Sequence, residues 1–330
     1  MIARRRSLVA LGACALFATI GAFAQPKPKP WRIGFLYFGS RQSAVGTGRY
    51  DAFLRGMREL ELVEGRDFVI EWRFADGVEE RLPGLLEELL RLKVEILVTT
   101  GNAATDAARR ATSTLPIVIT VQADPVAAGL GKSLARPGGN VTGFYTSNVD
   151  TIPKVFELMK LAVPGLSRIA VLANPINTAH PPQLAKVRAM AEKVGIRPIV
   201  VSADTPAGIE RSFAEATRQR AQGVIQLGDT FFTQQHRQIA ELAIKNRLPS
   251  IAPIASFTDA GGFLSYGPDT SDNFRRAAGY VDKIFKGAKP GELPFEQSNR
   301  YYLTINRRTA EALGLAIPQE LLLRADRVIE

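Results

Sequence analysis

From Trp31 onward the chain repeats one pattern: a short apolar run, a break carrying Gly, Asn, Asp or Pro, then ten or more residues with apolar positions at helical spacing. Residues 33–38 predict a strand, and 48–62 a helix whose apolar face holds Phe53, Met57 and Leu60. Further strands are predicted over 68–74, 95–100, 117–121 and 141–144, with helices over 79–92 and 103–111 between them. The strand runs are nearly continuous in apolar residues rather than alternating, as parallel strands covered on both faces require. This is the pattern of a doubly wound α/β sheet.

The alternation then restarts. Helices over 152–162, 183–194, 206–220 and 232–246 are interleaved with strands over 168–173, 197–202, 223–227 and 249–252. A strand and turn over 261–268, a helix over 272–286 and a strand over 300–306 complete the series. These are too many units for one comfortable sheet, and about 300 residues suffice for two cores, so two similar lobes are expected. No long flexible stretch separates the halves near 146–150, which favours closely coupled lobes.

The N-terminus breaks the pattern. Arg4, Arg5 and Arg6 precede an apolar run over 8–24 that ends in Ala22-Phe23-Ala24, the layout of a cleaved signal peptide over 1–24, with a Pro/Lys spacer over 25–30. The run is shorter than the ~18 apolar residues of a membrane span. The expected location is therefore periplasmic. Leu11-Gly12-Ala13-Cys14 also resembles a lipoprotein cleavage box, which would leave a lipidated Cys14, although apolar residues continue past it. Arg5-Arg6 loosely resembles a twin-arginine signal. Cys14 is the only cysteine, so a chain cut after Ala24 has no disulfide and no thiolate metal site.

Charge narrows the partners. The formal net charge is +10; Arg4, Arg5 and Arg6 supply three of the 42 basic residues, which leaves 39 against 32 acidic. Basic and acidic positions are interspersed, and no stripe suited to nucleic acid is present. The chain has two histidines. His180, ahead of Pro181-Pro182, reads as a loop residue, and His236, among Gln234, Gln235 and Arg237, as part of a solvated helix face. No metal, cofactor or catalytic residue is expected. Gly129 to Ser133 ends like a phosphate loop, but Val126 stands where its first glycine belongs, and Gly46-Thr47-Gly48 lacks the third glycine of a dinucleotide fingerprint.

In such sheets ligands sit beyond the carboxyl ends of the strands. That rule selects Ser40 after the first strand and Thr100-Gly101-Asn102-Ala103 after the third, where a helix N-terminus suits a carboxylate. Thr100 or Asn102 could equally cap that helix. Asp124 follows the fourth strand, where it suits an ammonium group or simply caps a short helix begun by Pro125. In the second series the rule selects Asn148, Asn174, Asn177, Asp229 and Phe231, with Tyr266 at a crossover. The aromatics Tyr37, Phe231, Phe257 and Tyr266 could sandwich a flat ligand or belong to the core. The set fits an amino acid, with Asp124 or Asp229 for its ammonium, and it fits a carboxylate lacking an amine.

Ordered segments across the chain carry a resemblance. They are Gly-Met-Arg-Glu-Leu at 56–60 within the stretch 56–73, Arg81-Leu82-Pro83, Thr99-Thr100-Gly101-Asn102 and Asp124-Pro125-Val126, then Leu-Ala-Arg-Pro-Gly-Gly-Asn-Val-Thr-Gly at 134–143. Further on come 163–172, Gly-Phe-Leu-Ser-Tyr-Gly-Pro at 262–268, 283–290 and the ending 321–330. Together these resemble the ABC transporter substrate-binding family typified by tryptophan/tyrosine-binding receptors. The resemblance implies a periplasmic-binding-protein fold of the first type, with two lobes joined by three crossovers near 146–150, 262–266 and 290–295. Lobe one is then expected over 31–147 plus 267–290, and lobe two over 148–266 plus 291–330. It further implies a monomer that closes on a small molecule, an amino acid or small carboxylate, and presents it to an ABC permease and ATPase. Presentation to a membrane sensor or chemoreceptor would use the same closure.

Overall fold

The computed structural model describes residues 29–298 and 300–330. The expected signal peptide, Cys14 and the spacer up to residue 28 lie outside the described residues. The first series runs through β1 (Trp31–Tyr37), α1 (Arg41–Gly46), α2 (Arg49–Glu59), β2 (Phe68–Phe74), α3 (Leu82–Arg91), β3 (Ile96–Thr100), α4 (Asn102–Ala111), β4 (Ile117–Val121) and β5 (Val141–Tyr145). Its strands pair in parallel in the order β5-β4-β3-β1-β2. β3 is buried along its whole length, because apolar clusters fill both faces of the sheet. Phe35, Phe53 and Phe144 belong to one cluster, and Leu36, Leu86 and Leu97 to the other. Alternate residues of β1 thus serve opposite faces, as the two-residue period of a strand dictates.

The second series runs through α5 (Asn148–Ala162), β6 (Arg168–Ala173), α6 (His180–Val194), β7 (Arg197–Ser202), α7 (Pro206–Arg218), β8 (Val224–Gln226), α8 (Thr230–Gln234), α9 (His236–Lys245), β9 (Ser250–Ala252), α10 (Ser256–Asp259) and β10 (Leu264–Pro268). The chain then returns to the first lobe as α11 (Thr270–Phe285), which packs on α2 and β4, and adds β11 (Phe295–Gln297) in parallel beside β5. It crosses back for β12 (Tyr301–Asn306), α12 (Arg307–Ala312), α13 (Gln319–Leu323) and β13 (Arg327–Ile329). The second sheet has the order β13-β12-β10-β9-β8-β6-β7. It is parallel except where β12, arriving from the other lobe, runs antiparallel to β10. Phe156 and Ile169 anchor the cluster on one face, Phe213 and Phe232 that on the other.

The fold is therefore the expected pair of doubly wound lobes, with details corrected. Gly267 and Pro268 finish β10 in the second sheet, so the second crossing falls at Asp269 rather than near 262–266. Residues 295–297, expected in lobe two, pair with β5 in the first sheet, so the third crossing follows Gln297. A three-residue strand with one apolar side chain gives too little periodicity to be read from sequence.

The contact between α2 and α11 closes the first lobe around the returning segment, and it depends on Gly56. A Cβ there would stand 2.1 Å from the carbonyl oxygen of Arg275 and 2.9 Å from the Cβ of Ala278. Gly56→Ala is expected to lower stability by about 1–3 kcal/mol through overpacking, read as a fall in melting temperature. Gly84→Ala in α3, where a Cβ meets nothing within 4 Å, should raise the melting temperature or leave it unchanged.

Candidate functional site

The loops beyond the carboxyl ends of both sheets face each other across a cleft of ≈ 80 Å³. The first lobe contributes Gly101 and Asn102 after β3 and Gln122 after β4; the second contributes Asn177, Gln226 and Asp229. Residues beside two crossings, Thr146 and Pro268, complete the wall, so any relative movement of the lobes reshapes the cleft.

Arg49 is the dominant charge of this site. It opens α2 behind Gly48, yet its side chain turns inward and only 4% of the residue is exposed. Its partners are all neutral: it donates to the Tyr37 hydroxyl at 2.9 Å and to Thr270 Oγ1 at 3.1 Å, and its guanidinium lies 5.6 Å from the ring centroid of Phe274. Its Nε is buried without a partner. A guanidinium keeps its charge in any protein environment, so a buried positive charge stands at the cleft wall. The amino end of α4 adds to that field. Gly101, at φ 90°, turns the chain into α4, and no side chain caps the first turn.

A polar relay joins the lobes. Asn102 Oδ1 accepts from the Ala123 amide at 3.0 Å, while its Nδ2 donates to Asn177 Oδ1 in the opposite lobe at 3.1 Å. Asn177 Nδ2 donates to Asp229 Oδ2 at 2.7 Å, and Asn174 Nδ2 reaches the same oxygen at 3.2 Å. Asp229 Oδ1 in turn accepts from the Phe231 and Phe232 amides at 2.7 and 3.2 Å, capping α8. The Asn102–Asn177 bond is thus a latch between lobes, oriented at each end by backbone donors.

Both histidines are structural, contrary to their reading as surface residues. His180 is 2% exposed. Its Nδ1 accepts from the Asn174 amide at 2.8 Å, and its Nε2 lies 3.1 Å from the Gly228 carbonyl oxygen. Burial holds it below the usual histidine range against the pull of Asp229. His236 is 4% exposed, its Nε2 3.3 Å from Nε2 of Gln226 and its Nδ1 3.2 Å from Ser256 Oγ. Burial, with Arg49's charge adding to it, pushes His236 down to about 3. Neither environment could be read locally, because the enclosing groups come from other segments of the chain.

The structure sorts the residues proposed from sequence. Gly101, Asn102, Asn148, Asn177 and Asp229 line the cleft. Ala103 and Asn174 line an adjoining outer recess that shares Asn102, Asn177 and Asp229. Ser40 caps α1. Thr100 bonds Thr120 within the sheet at 2.7 Å rather than capping α4. Asp124 is exposed and accepts from the Val126 and Ala127 amides, the capping alternative. Among the aromatics, Tyr37, Phe231 and Phe257 are buried core residues, and Tyr266 stacks on Tyr301. Sequence reasoning missed Arg49, Gln122 and Gln226. A signal existed for Arg49: a cation at the first position of a helix opposes the helix dipole, and such local conflicts concentrate at functional sites.

Among the described residues, no group of three or more His, Cys, Asp or Glu is placed to hold a metal, and no helix is long and apolar enough to cross a membrane. A family model described as ABC transporter substrate binding protein matches residues 46–329. A protein of Clostridioides difficile (strain R20291) named tyrosine-binding protein is 23% identical over 267 residues, 80% of this chain and 75% of that protein. A solved conserved domain protein from Vibrio cholerae superposes with a TM-score of 0.85 at 25% identity, covering 91% of this chain and 100% of that one. An ABC domain from Streptococcus pneumoniae in complex with L-Trp superposes at 0.84 with 23% identity over the same shares.

Two outcomes follow from the geometry. Asn102→Ala removes the latch, a neutral hydrogen bond of about 0.5–1.5 kcal/mol, and should enlarge the radius of gyration of the ligand-free chain in X-ray scattering without unfolding it; an unchanged radius would refute the latch. The unfolded chain protonates His236 near 6.5 and the folded chain only near 3. Stability contributed by the neutral ring is therefore present above pH 6.5 and lost as pH falls toward 3, at up to about 1.4 kcal/mol per unit. Over that window the melting temperature of the native chain should fall more steeply than that of His236→Gln.

Proposed function

Because the chain belongs to the ABC transporter substrate-binding protein family, we propose that it is an exported receptor for a small carboxylate-bearing ligand, an amino acid or a small organic acid. It delivers that ligand to an ABC permease and its ATPase by closing its lobes, acting as a monomer. Export through the signal peptide expected over 1–24 brings it to the side of the membrane where the ligand is captured.

The observation that carries this reading is the buried charge of Arg49, which has only neutral partners in a cleft shared by both lobes. An uncompensated buried charge costs several kcal/mol, and a ligand carboxylate supplies the missing charge through short, charge-assisted hydrogen bonds. The uncapped amino end of α4 lies on the same wall and favours the same group. A relative named tyrosine-binding protein and a solved neighbour in complex with L-Trp support an amino acid as the ligand class.

Closure follows from the same geometry. Arg49 is tied to the crossing through Thr270, and Asn102 reaches Asn177 across the cleft. A ligand held by both lobes stabilises the closed arrangement by its differential affinity for it, and the closed face is what a transporter reads.

Arg49→Met tests the assignment because it separates binding from stability. Losing one partner of a buried charge pair costs about 3–5 kcal/mol. Calorimetric titration with a panel of L-amino acids and small carboxylates should therefore show binding weakened a hundredfold or more. The melting temperature of the free chain should hold or rise, since the substitution removes an uncompensated charge. Retained affinity in Arg49→Met would overturn the assignment.

A further inference from the structure

Three residues of the cleft wall each carry a buried polar atom without a partner: Nε of Arg49, Oε1 of Gln122 and Oε1 of Gln226. The residues are 4%, 2% and 3% exposed. One unpaired donor and two unpaired acceptors, on residues that line one cavity, point to a complementary ligand. It needs an acceptor at one end and hydrogen-bond donors at two further points, because a buried polar group left unmatched is costly and the partner that matches it is selected.

Both glutamines are held in place. The Gln226 amide nitrogen lies 3.3 Å from Nε2 of His236, whose Nδ1 is 3.2 Å from Ser256 Oγ. That ring is sealed in the second lobe against Phe257 and is too far from its protonation range to change partners. Gln122 sits where its backbone carbonyl receives the Thr146 amide at 2.8 Å, at the first crossing. The Gln226 side chain therefore cannot be pushed aside without disturbing His236, and the backbone of Gln122 is fixed at the crossing.

The same wall is ill-suited to a ring. Among the described residues, none of those lining the cleft is aromatic, and the apolar ones are limited to Val121, Ile254, alanines and prolines. Phe38 and Ile176 lie in the outer recess, beyond the Asn102–Asn177 latch. A ring directed there would have to break the bond that joins the lobes, and a ring kept inside would meet amides and hydroxyls with no aromatic face to stack on.

We propose that this cleft selects a small hydrophilic carboxylate with at least two hydrogen-bond donors, a polar amino acid or a hydroxylated acid. It rejects tyrosine, for which one relative is named, and tryptophan, with which one solved neighbour is in complex. The inference rests on the reading that Arg49 receives the carboxylate, and it adds the glutamine pair as the specificity-determining element.

Calorimetric titration of the exported chain with L-glutamine, L-serine, D-glycerate, L-tyrosine and L-tryptophan tests it. At least one of the first three should bind ten times or more tightly than either aromatic amino acid. Gln122→Leu and Gln226→Leu should each weaken that binding at least tenfold while leaving the melting temperature of the free chain at or above its native value. Glutamine or serine preferred over glycerate would identify an amino acid, and the reverse a hydroxylated acid. An aromatic ligand bound as tightly as the best polar one would overturn the proposal, as would unchanged affinity in both leucine variants or no binding by any of the five. Aromatic preference that still requires Arg49 would sink this inference alone, whereas full affinity in Arg49→Met would sink the reading beneath it.

Discussion

A guanidinium taken out of water without an opposite charge is among the least favourable arrangements a fold can hold, and Arg49 is in that arrangement. Its cost is shared by three elements of the first lobe. The Tyr37 hydroxyl comes from the first strand, Thr270 from the segment that has just crossed between lobes, and Phe274 from the helix that segment begins. The charge therefore couples the interior of the first lobe to the hinge. Remove it and the wall becomes an ordinary polar surface; keep it and the cleft carries the positive charge on which the proposed binding of a carboxylate rests.

The rest of the cleft is organised around that charge. Asp229, the acidic side chain in the wall, is already engaged by four donors, two amides of its own helix and two asparagines. It serves as a cap and as the far anchor of the interlobe relay rather than as a partner for Arg49. The buried histidines are neutral struts: His180 clamps the turn after β6 to Gly228, and His236 backs Gln226. A rigid, mostly neutral hydrogen-bonding frame around one buried charge is what fixes orientation and specificity in a small-molecule site.

Much of the architecture was legible because its driving force is local and periodic. Apolar runs such as Phe68–Phe74, Ile117–Val121 and Arg168–Ala173 were expected at the bounds the structure has, since parallel strands buried on both faces leave an unbroken signal. β11 and β13, at three residues each, were not legible. The site was half legible for a related reason. The rule that ligands sit beyond strand ends led to Gly101, Asn102, Asn148, Asn177 and Asp229. It could not separate Asp229 from Asp124, because both follow a strand and both cap a turn; only the tertiary fold places Asn174 and Asn177 around one and solvent around the other. Arg49, Gln122 and Gln226 escaped because long polar side chains usually mark solvated surface, and their burial is decided by segments far away in the chain.

The central claim is that this cleft closes on a carboxylate held by Arg49. It is tested most directly by a thermodynamic cycle: calorimetric titration of the tightest-binding acid and its methyl ester, with the native chain and with Arg49→Met. If the carboxylate and the guanidinium meet, esterification costs the native chain a hundredfold or more in affinity and costs Arg49→Met little, so the two changes are strongly coupled. Equal losses on esterification in both chains would show that the acid group is bound elsewhere, and would contradict the account.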